Sequence, residues 1–264
     1  EANKLIHYLN EICPEHDEFY EGDARLMDKS SSGEMFDAIS LVIYVMSAVL
    51  GLDAKRNYLL LQGLKHTKYF IKNDVFSVLG WNPSGNQVTV EINGIFTSLG
   101  MRYVYYRENP FQGDWDEVHR VYANLMQTCV VPEIPGLDFR RNNRLIHYGD
   151  DNLLKTRVPL SPQFCDIWLN EIGIMMTDAG KKGHMQAMPL AEVSFLKRHF
   201  VWDEELQSYV TPLDPKSIVR MLAIKKESSL TDHDHAATVV SEALAEAAYH
   251  TEQFFLTKLI SWFI

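Results

Sequence analysis

Apolar residues recur at helical spacing along most of the chain and alternate like strands in only a few short places. Leu5, Ile6, Leu9 and Ile12 predict a short helix over residues 4–12. Phe19-Tyr20-Glu21-Gly22 predicts a strand that runs into Asp23-Ala24-Arg25-Leu26-Met27-Asp28. After a polar, Ser-rich stretch, residues 34–50 are apolar on nearly every side, which predicts a helix buried against a sheet, with Gly51 as its stop signal. Residues 55–67 read as a more amphipathic helix, and residues 68–79 as paired strands turning at Asn73-Asp74. Residues 89–106 keep the helical period and put Asn93 on the same face as Thr89. Further helices are predicted at 116–128, 162–174, 214–224 and 236–263, and a short strand at Met175-Met176-Thr177. The aromatic and basic stretch from Ser194 to Phe200 is expected to form a hairpin with Tyr209-Val210.

One hairpin pattern carries charge at its tip. Leu145-Ile146-His147-Tyr148 and Asn152-Leu153-Leu154 flank Gly149-Asp150-Asp151, a sequence suited to a tight turn between two strands. Two carboxylates then stand side by side at the ends of apolar strands. At about 4 Å and an effective dielectric of about 20, they repel by roughly 4 kcal/mol. A hard divalent cation reverses that sign by taking carboxylate oxygens. Taken alone, the same residues also read as an ordinary solvated turn.

With 264 residues, 46% of them hydrophobic, the chain has enough material for one large or two modest domains. Three widely spaced cysteines, Cys13, Cys129 and Cys165, argue for a reducing compartment and against a disulfide framework or a zinc site. The apolar run at residues 41–52 is too short to cross a membrane, so no transmembrane segment is expected. The chain opens inside a helical pattern without Met and stops on an apolar run, which predicts a fragment. The net charge of −10 sits poorly with phosphate binding, which Lys and Arg dominate.

The order of the polar motifs carries more than any of them singly. Asp23 and Asp28 follow the first strand, and Asn82-Pro83-Ser84-Gly85-Asn86 leads into the helix bearing Thr89 and Asn93. Tyr148-Gly149-Asp150-Asp151 comes next, then Thr177 to Lys181, then Phe195-Leu196-Lys197-Arg198. This order resembles the palm motifs, lettered A to E, of the RNA-dependent RNA polymerases of positive-strand, picorna-like RNA viruses. It covers the chain from Phe19 to Phe200, with the remainder matching by position as a thumb.

The resemblance implies an α+β fold: a right-hand polymerase palm, an antiparallel sheet flanked by helices, with a mainly helical thumb. Residues 1–194 would be palm with part of the fingers, the fingers insertion lying at about 52–83, and residues 195–264 a primer-grip hairpin and thumb. Asp23, Asp150 and Asp151 would bind two Mg²⁺ or Mn²⁺ ions and, with Lys181 as general acid, form the catalytic set. Asp28, Ser84, Gly85, Thr89 and Asn93 would bind the nucleotide, Asp28 and Asn93 reading its ribose 2′-hydroxyl, and Lys197 and Arg198 would grip the primer. The implied partners are RNA template and primer, nucleoside triphosphates, a protein primer and other viral replication proteins. The implied setting is the host cytoplasm, at membrane-associated replication complexes, after release from a viral polyprotein. The family's basic nucleotide-entry residues lie in fingers upstream of the first motif, which would account for the acidic balance and leave this fragment alone inactive. A reverse transcriptase and an inactive palm that only binds RNA are the alternatives; the Pro-Ser-Gly-Asn segment argues against the first and the intact carboxylates against the second.

Overall fold

The structure is a computed structural model that describes residues 1–25, 27–82, 87–128, 139–180, 183–224 and 229–250. Of Asp28, Ser30, Ile71, Tyr122 and residues 124–128 it describes the backbone only. In chain order the first elements are α1 (Ala2–Asn10), β1 (Phe19–Arg25), α2 (Met27–Ser30), α3 (Gly33–Val49), α4 (Ala54–Lys65), β2 (His66–Ile71) and β3 (Asp74–Leu79). Then come α5 (Thr89–Glu108), α6 (Trp115–Thr128), α7 (Phe139–Asn142), β4 (Asn143–Tyr148), β5 (Asp151–Thr156), α8 (Phe164–Ile167) and β6 (Met175–Thr177). The last are β7 (Ala187–Met188), β8 (Ser194–Phe195), β9 (Arg198–His199), β10 (Val201–Asp203), β11 (Ser208–Val210), α9 (Pro215–Ala223) and α10 (Asp232–Ala247).

The chain divides into two compact units, Tyr20–Ala187 and a second made of Glu1–Phe19 with Met188–Ile264. The first is built on an antiparallel sheet in the order β4-β5-β1-β6. Strand alternation gives that sheet two faces. Tyr20, Ala24, Leu154 and Met176 form one face and share a core with Phe36 and Ile39 of α3 and with Ile92, Phe96, Met101 and Val104 of α5. Glu21, Asp23, Asp151, Leu153 and Lys155 form the other. Only Arg25 of β1 is exposed, so this strand is buried on both faces.

Caps fix where the helices start. The Ser32 hydroxyl accepts from the Met35 N–H at 3.2 Å and opens α3, and the Asp53 carboxylate accepts from Arg56 N–H at 3.0 Å and opens α4. Helix α4 stops at Lys65, short of the expected 67, because His66 and Thr67 already pair with Leu79 and Val78. The hairpin turn falls on Lys72-Asn73, one residue earlier than Asn73-Asp74, with Lys72 at φ 55°. The helix expected over 162–174 is one α turn followed by a π turn at Trp168–Ile172, closed by Gly173 at φ 84°. Its wide turn seats the fully buried Trp168 over Gly100, where a methyl group would lie 2.1 Å from the ring.

In the second unit Asn3 Oδ1 accepts from Tyr209 N–H at 2.8 Å, and Asp17 Oδ1 from Leu190 N–H at 3.3 Å, so the amino-terminal segment is pinned to the carboxy-terminal one. The expected pairing of 194–200 with Tyr209-Val210 is replaced by two tighter hairpins. Strand β8 turns straight back into β9, and Tyr209 pairs instead with Trp202. Helices α9 and α10 pack through Ile218, Ala243 and Ala247. Helix α10 begins four residues before the expected 236, because Thr231 caps it by accepting from Asp234 N–H at 3.2 Å. It closes at Ala247, and residues 251–263 of the expected helix lie outside the described residues.

Glu21 and Lys155 are both buried, at 5% and 1% exposure, on the same face of the sheet. Glu21 stands opposite Leu153, so Lys155 is its diagonal neighbour on β5, a spacing long side chains bridge. Buried charges persist where they offset each other, and removing one partner of such a pair costs about 3–5 kcal/mol. Lys155→Met should therefore destabilise the fold by that order, and Glu21→Gln with Lys155→Met should recover most of the loss. Chemical denaturation of both variants checks it; a double variant as unstable as the single one would show that the two charges are not coupled.

Candidate active site

The antiparallel register sets the centre of the site. Asp23 on β1 stands directly across from Asp151 on β5, and on its other side pairs with Thr177 of β6. The Thr177 hydroxyl donates to the Asp23 carbonyl at 3.3 Å and joins β6 to β1 at this level. Asp23 is buried at 5% exposure, while Asp150 and Asp151 are half-buried. Tyr148 pairs with Asp151, so Gly149-Asp150 is a two-residue turn. Gly149 has φ 65° and Asp150 does not share the positive φ, the pattern of a type II′ turn with glycine first. The register thus makes Asp151 the cross-strand partner of Asp23 and puts Asp150 in the turn next to Asp151.

Helix α5 holds the tip from behind. The Thr97 hydroxyl donates to the Gly149 carbonyl at 2.9 Å, and both groups are buried. A Cβ on Gly94 would lie 2.9 Å from His147 Nδ1, so only glycine lets α5 approach β4 this closely. Burial, and secondarily the charge of Arg102, hold the His147 imidazole below its ordinary pKa, so it packs there neutral. Asn93, one residue before Gly94, is 7% exposed, and its Oδ1 accepts from Asn82 Nδ2 at 2.9 Å. Asn82 Nδ2 also reaches the Thr89 carbonyl at 3.4 Å, so the first turn of α5 and Asn93 share one anchor.

A second support lies beneath the carboxylates. Asn152 is fully buried; its Nδ2 donates to the Asp150 carbonyl at 3.1 Å and lies 3.7 Å from Met176 Sδ, while its Oδ1 has no hydrogen-bond partner. The amide lies against Gly22, where a Cβ would come within 2.6 Å of Asn152 Oδ1 and 2.9 Å of Met185 Cε. The residue before Asp23 therefore has no room for a side chain.

Asp23, Asp150, Asp151, Thr89 and Asn93 accordingly come from three elements that meet, β1, the β4–β5 hairpin and α5. Asp28 falls in the short helix α2, with its side chain outside the description, and Ser84, Gly85 and Lys181 lie outside the described residues. Sequence reasoning missed Gly22, Asn82, Gly94, Thr97 and Asn152. Of these Thr97 was the most accessible, since it stands four residues after Asn93 on the same helical face.

The remaining two predicted residues belong to the second unit. Leu196 and Lys197, at φ 54° and 60°, form the two-residue turn between β8 and β9. A side chain in this left-handed region costs roughly 1–2 kcal/mol relative to ordinary helical backbone. The turn is held by Arg198, whose guanidinium donates to both carboxylate oxygens of Glu246 at 2.6 and 2.8 Å and to the Thr211 carbonyl at 2.9 Å. The Lys197 carbonyl accepts from Asp214 N–H at 2.8 Å, and its side chain is exposed. Arg198 thus helps to hold the fold of this unit, and the Lys197 side chain is exposed beside it.

Among the described residues no three His, Cys, Asp or Glu side chains gather into a cage for a metal ion. A facing pair of carboxylates suits a cation that keeps water or substrate oxygens for its remaining positions, as Mg²⁺ does.

Comparison with known proteins places these features. The chain matches the family described as viral RNA-dependent RNA polymerase over residues 3–264. It is similar to the replicase polyprotein of cricket paralysis virus, 30% identical over 208 residues that cover 75% of this chain and 11% of the polyprotein. It is also similar to the RNA1 polyprotein of Satsuma dwarf virus, 26% identical over 197 residues, 71% of this chain and 8% of that one. Among solved structures, a Sicinivirus 3Dpol RNA-dependent RNA polymerase superposes with a TM-score of 0.60 at 16% identity, over 94% of this chain and 49% of that chain. The chain therefore spans about a tenth of these polyproteins and about half of the solved polymerase. The fold is that of a right-hand polymerase of mixed helix and antiparallel sheet, as the motif order led us to expect.

Gly94→Ala should push the hairpin tip away from α5. Forcing a methyl group into a filled space costs about 1–3 kcal/mol. Gly94→Ala should lower the melting temperature, and pairing it with His147→Ala should recover part of the loss by making room. Calorimetry of both variants checks this; an unchanged melting temperature for Gly94→Ala would show that the helix and hairpin are not in close contact.

Proposed function

The chain belongs to the viral RNA-dependent RNA polymerase family, and from that premise we propose that it carries the catalytic centre for RNA-templated RNA synthesis. The observation that carries the reading is the placement of Asp23 opposite Asp151 at the mouth of the Gly149-Asp150 turn. Like charges directly opposite on neighbouring strands are destabilising, so the arrangement is not one the fold selects for its own stability. Asp23, Asp150 and Asp151 would supply carboxylate oxygens of the kind that Mg²⁺ or Mn²⁺ takes, and two such ions would draw them closer than they stand in the structure. Such ions, when bound, clamp the attacking and leaving oxygens of an in-line displacement at phosphorus.

The remaining residues would position the reactants. Asn93, with its oxygen taken by Asn82, would present its Nδ2 as a donor to the ribose 2′-oxygen, with Asp28 as the second partner. Ser84, Gly85 and Thr89 would line the same nucleotide site. Lys181 would protonate the departing pyrophosphate, a role suited to a group whose pKa moves readily with its surroundings. Lys197 would contact primer phosphates, with Arg198 holding its turn through Glu246. Residues 1–194 would then act as palm with part of the fingers and residues 195–264 as primer grip and thumb. The relatives are segments of viral polyproteins, which supports release of this chain from such a precursor. RNA template and primer, nucleoside triphosphates, a protein primer and the other replication proteins of a cytoplasmic, membrane-associated complex complete the reading. Because the chain spans half of the solved polymerase, we expect residues 1–264 alone to bind metal weakly and not to extend a primer.

Asp23→Asn should abolish Mn²⁺ binding while leaving the melting temperature unchanged or raised, since it removes a repelling charge without changing shape. Titration calorimetry and thermal melting of the same sample decide it, and undiminished Mn²⁺ binding would end the metal assignment. In a complete enzyme, Asn93→Ala should weaken discrimination against 2′-deoxynucleotides by about 5- to 150-fold, the worth of one hydrogen bond to a buried partner. The loss should fall on ribonucleotide incorporation. Equal losses for both sugars in single-nucleotide extension would show instead that Asn93 only supports the helix.

A further inference from the structure

The loop after β5 opens a cavity at the other end of the sheet from the aspartates. Pro159 and Pro162 have no N–H and fix φ, so the chain leaves the ladder after Thr156 and runs out to α8. Between that loop, the last turns of α5 and α8 lies a cavity of about 460 Å³, within the range of about 300–1,000 Å³ typical of small-molecule sites. All the residues that line it belong to the first unit. Met101, Phe139, Leu154, Leu160, Phe164 and Ile167 give it an apolar wall, and the Tyr105 ring stands edge-on to Phe139 at 5.3 Å. Thr156, on its edge, is five residues along β5 from Asp151, about 17 Å at strand spacing.

The polar groups of the cavity call for a donor of positive charge. Glu108, the last residue of α5, is the one acid among the residues that line it, and no Lys, Arg or His lines it. One Glu108 oxygen accepts from the Ser161 hydroxyl, and the carboxylate makes no ion pair among the described residues. The carboxy-terminal end of a helix adds partial negative charge at the same point. Asn143 is 2% exposed; its Nδ2 donates to the Phe139 carbonyl at 3.0 Å, and its Oδ1 accepts from no described residue. A buried amide oxygen left open in this way costs free energy that an N–H donor would recover. Two arginines nearby leave Glu108 unneutralised. Arg102 lies over the Phe139 ring and donates to the Ser98 carbonyl at 3.0 Å, and Arg107 pairs with Glu171 at 3.2 Å. An apolar pocket with one unneutralised carboxylate and one open acceptor selects an apolar body that carries a cationic N–H donor, and it rejects an anion. We propose that this cavity binds a small organic ammonium ion with an aromatic or branched aliphatic body, its nitrogen donating to Glu108 and Asn143. The site shares no residue with the metal, nucleotide and primer sites, and it stands whether or not the chain makes RNA.

The test is a ligand-observed NMR titration of the 264-residue chain with three probes of similar shape, phenethylammonium, phenethyl alcohol and phenylacetate. The ammonium should bind with a dissociation constant on the order of 1 mM, as a ligand of about nine heavy atoms allows. It should bind about 10-fold more tightly than the alcohol, the worth of a hydrogen bond to a charged group, and phenylacetate should not bind. Glu108→Gln keeps the shape and an acceptor for Ser161 but removes the charge, so it should erase the preference for ammonium over alcohol with little change in melting temperature. Val158→Trp, at an exposed position on the cavity's edge, should weaken both. Asp23→Asn should bind all three probes as the parent does. A parent that does not bind the ammonium, or that binds phenylacetate as well, would overturn the site. So would a Glu108→Gln chain that keeps the full preference, or a Val158→Trp chain that binds like the parent. Ammonium binding lost in Asp23→Asn and kept in Glu108→Gln would overturn it too, by putting the cation on the aspartates. Mn²⁺ binding by the parent and by Asp23→Asn tests the metal site in separate titrations, so the two readings fail separately.

Discussion

The placement of Asp23 across from Asp151 is the constraint on which the first unit depends. Two carboxylates in register on neighbouring strands push those strands apart, and the sheet must be held together at that level by other means. The pieces nearest the pair are suited to that task. Thr177 ties β6 to β1 through the Asp23 carbonyl, Thr97 fixes the Gly149 carbonyl, and Asn152 fixes the Asp150 carbonyl. Each bond ends on backbone, so the carboxylate groups themselves are not consumed by these three supports. Gly22 and Gly94 complete the arrangement by letting Asn152 and His147 occupy space that a side chain would fill. Glycine in a strand or a helix costs conformational entropy, about 0.5–1 kcal/mol against alanine. Here that cost is offset by close approach at the two points where the tip is gripped.

Buried polar groups give the site its rigidity and also its vulnerability. Asn82, Asn93, Asn152, Thr97 and Lys155 are all buried within or beside it. Satisfied, such groups specify one arrangement; stripped of a partner, each costs more than it contributed. The Asn82–Asn93 bond shows the consequence for function. It fixes which end of the Asn93 amide is held and which is presented, so under the proposed function Asn82 would govern how Asn93 meets a sugar. The same division of labour recurs in the second unit, where Arg198 holds the turn and Lys197 is displayed by it.

The sequence made the strongly periodic elements legible, and the charged hairpin with them. Helices α3 and α5 fall within a residue or two of their apolar patterns, but only α5 is buried along its length. Helix α3, expected to be buried against the sheet, packs mainly on α4, fully buries only Phe36 and Ile39 among its large apolar side chains and leaves Leu41, Met46 and the C-cap Leu50 exposed. The turn at Gly149-Asp150 was readable because only a short, glycine-led turn fits between Tyr148 and Asp151. What was not readable depends on space rather than on period. The π turn at Trp168–Ile172 is coupled to the notch at Gly100, sixty-odd residues away, and no local pattern encodes that. The β8–β9 turn places Leu196 and Lys197 in a backbone region that prefers asparagine or glycine, so turn chemistry pointed elsewhere and the longer pairing with Tyr209-Val210 looked better. The supports of the site were hidden for a related reason. Gly22, Gly94 and Asn152 matter for what they leave room for or lean on, which a one-dimensional reading does not contain.

Charge distribution ties the candidate site to its surroundings. A net charge of −10 repels a polyanion at long range, and under the proposed function RNA would nonetheless have to approach Asp23, Asp150 and Asp151. Screening confines that repulsion to about 8 Å at physiological ionic strength, so what decides approach is local sign rather than the total. Asp23 is buried in the sheet, while Asp150 and Asp151 are half-buried at the β4–β5 turn, all three on short side chains. The lysines of the β2–β3 hairpin carry theirs on long, exposed stems at the end of a ribbon that projects aromatic surface. Negative charge that is fixed and buried draws compact divalent cations, whereas positive charge that is exposed and flexible meets phosphates without a large desolvation cost.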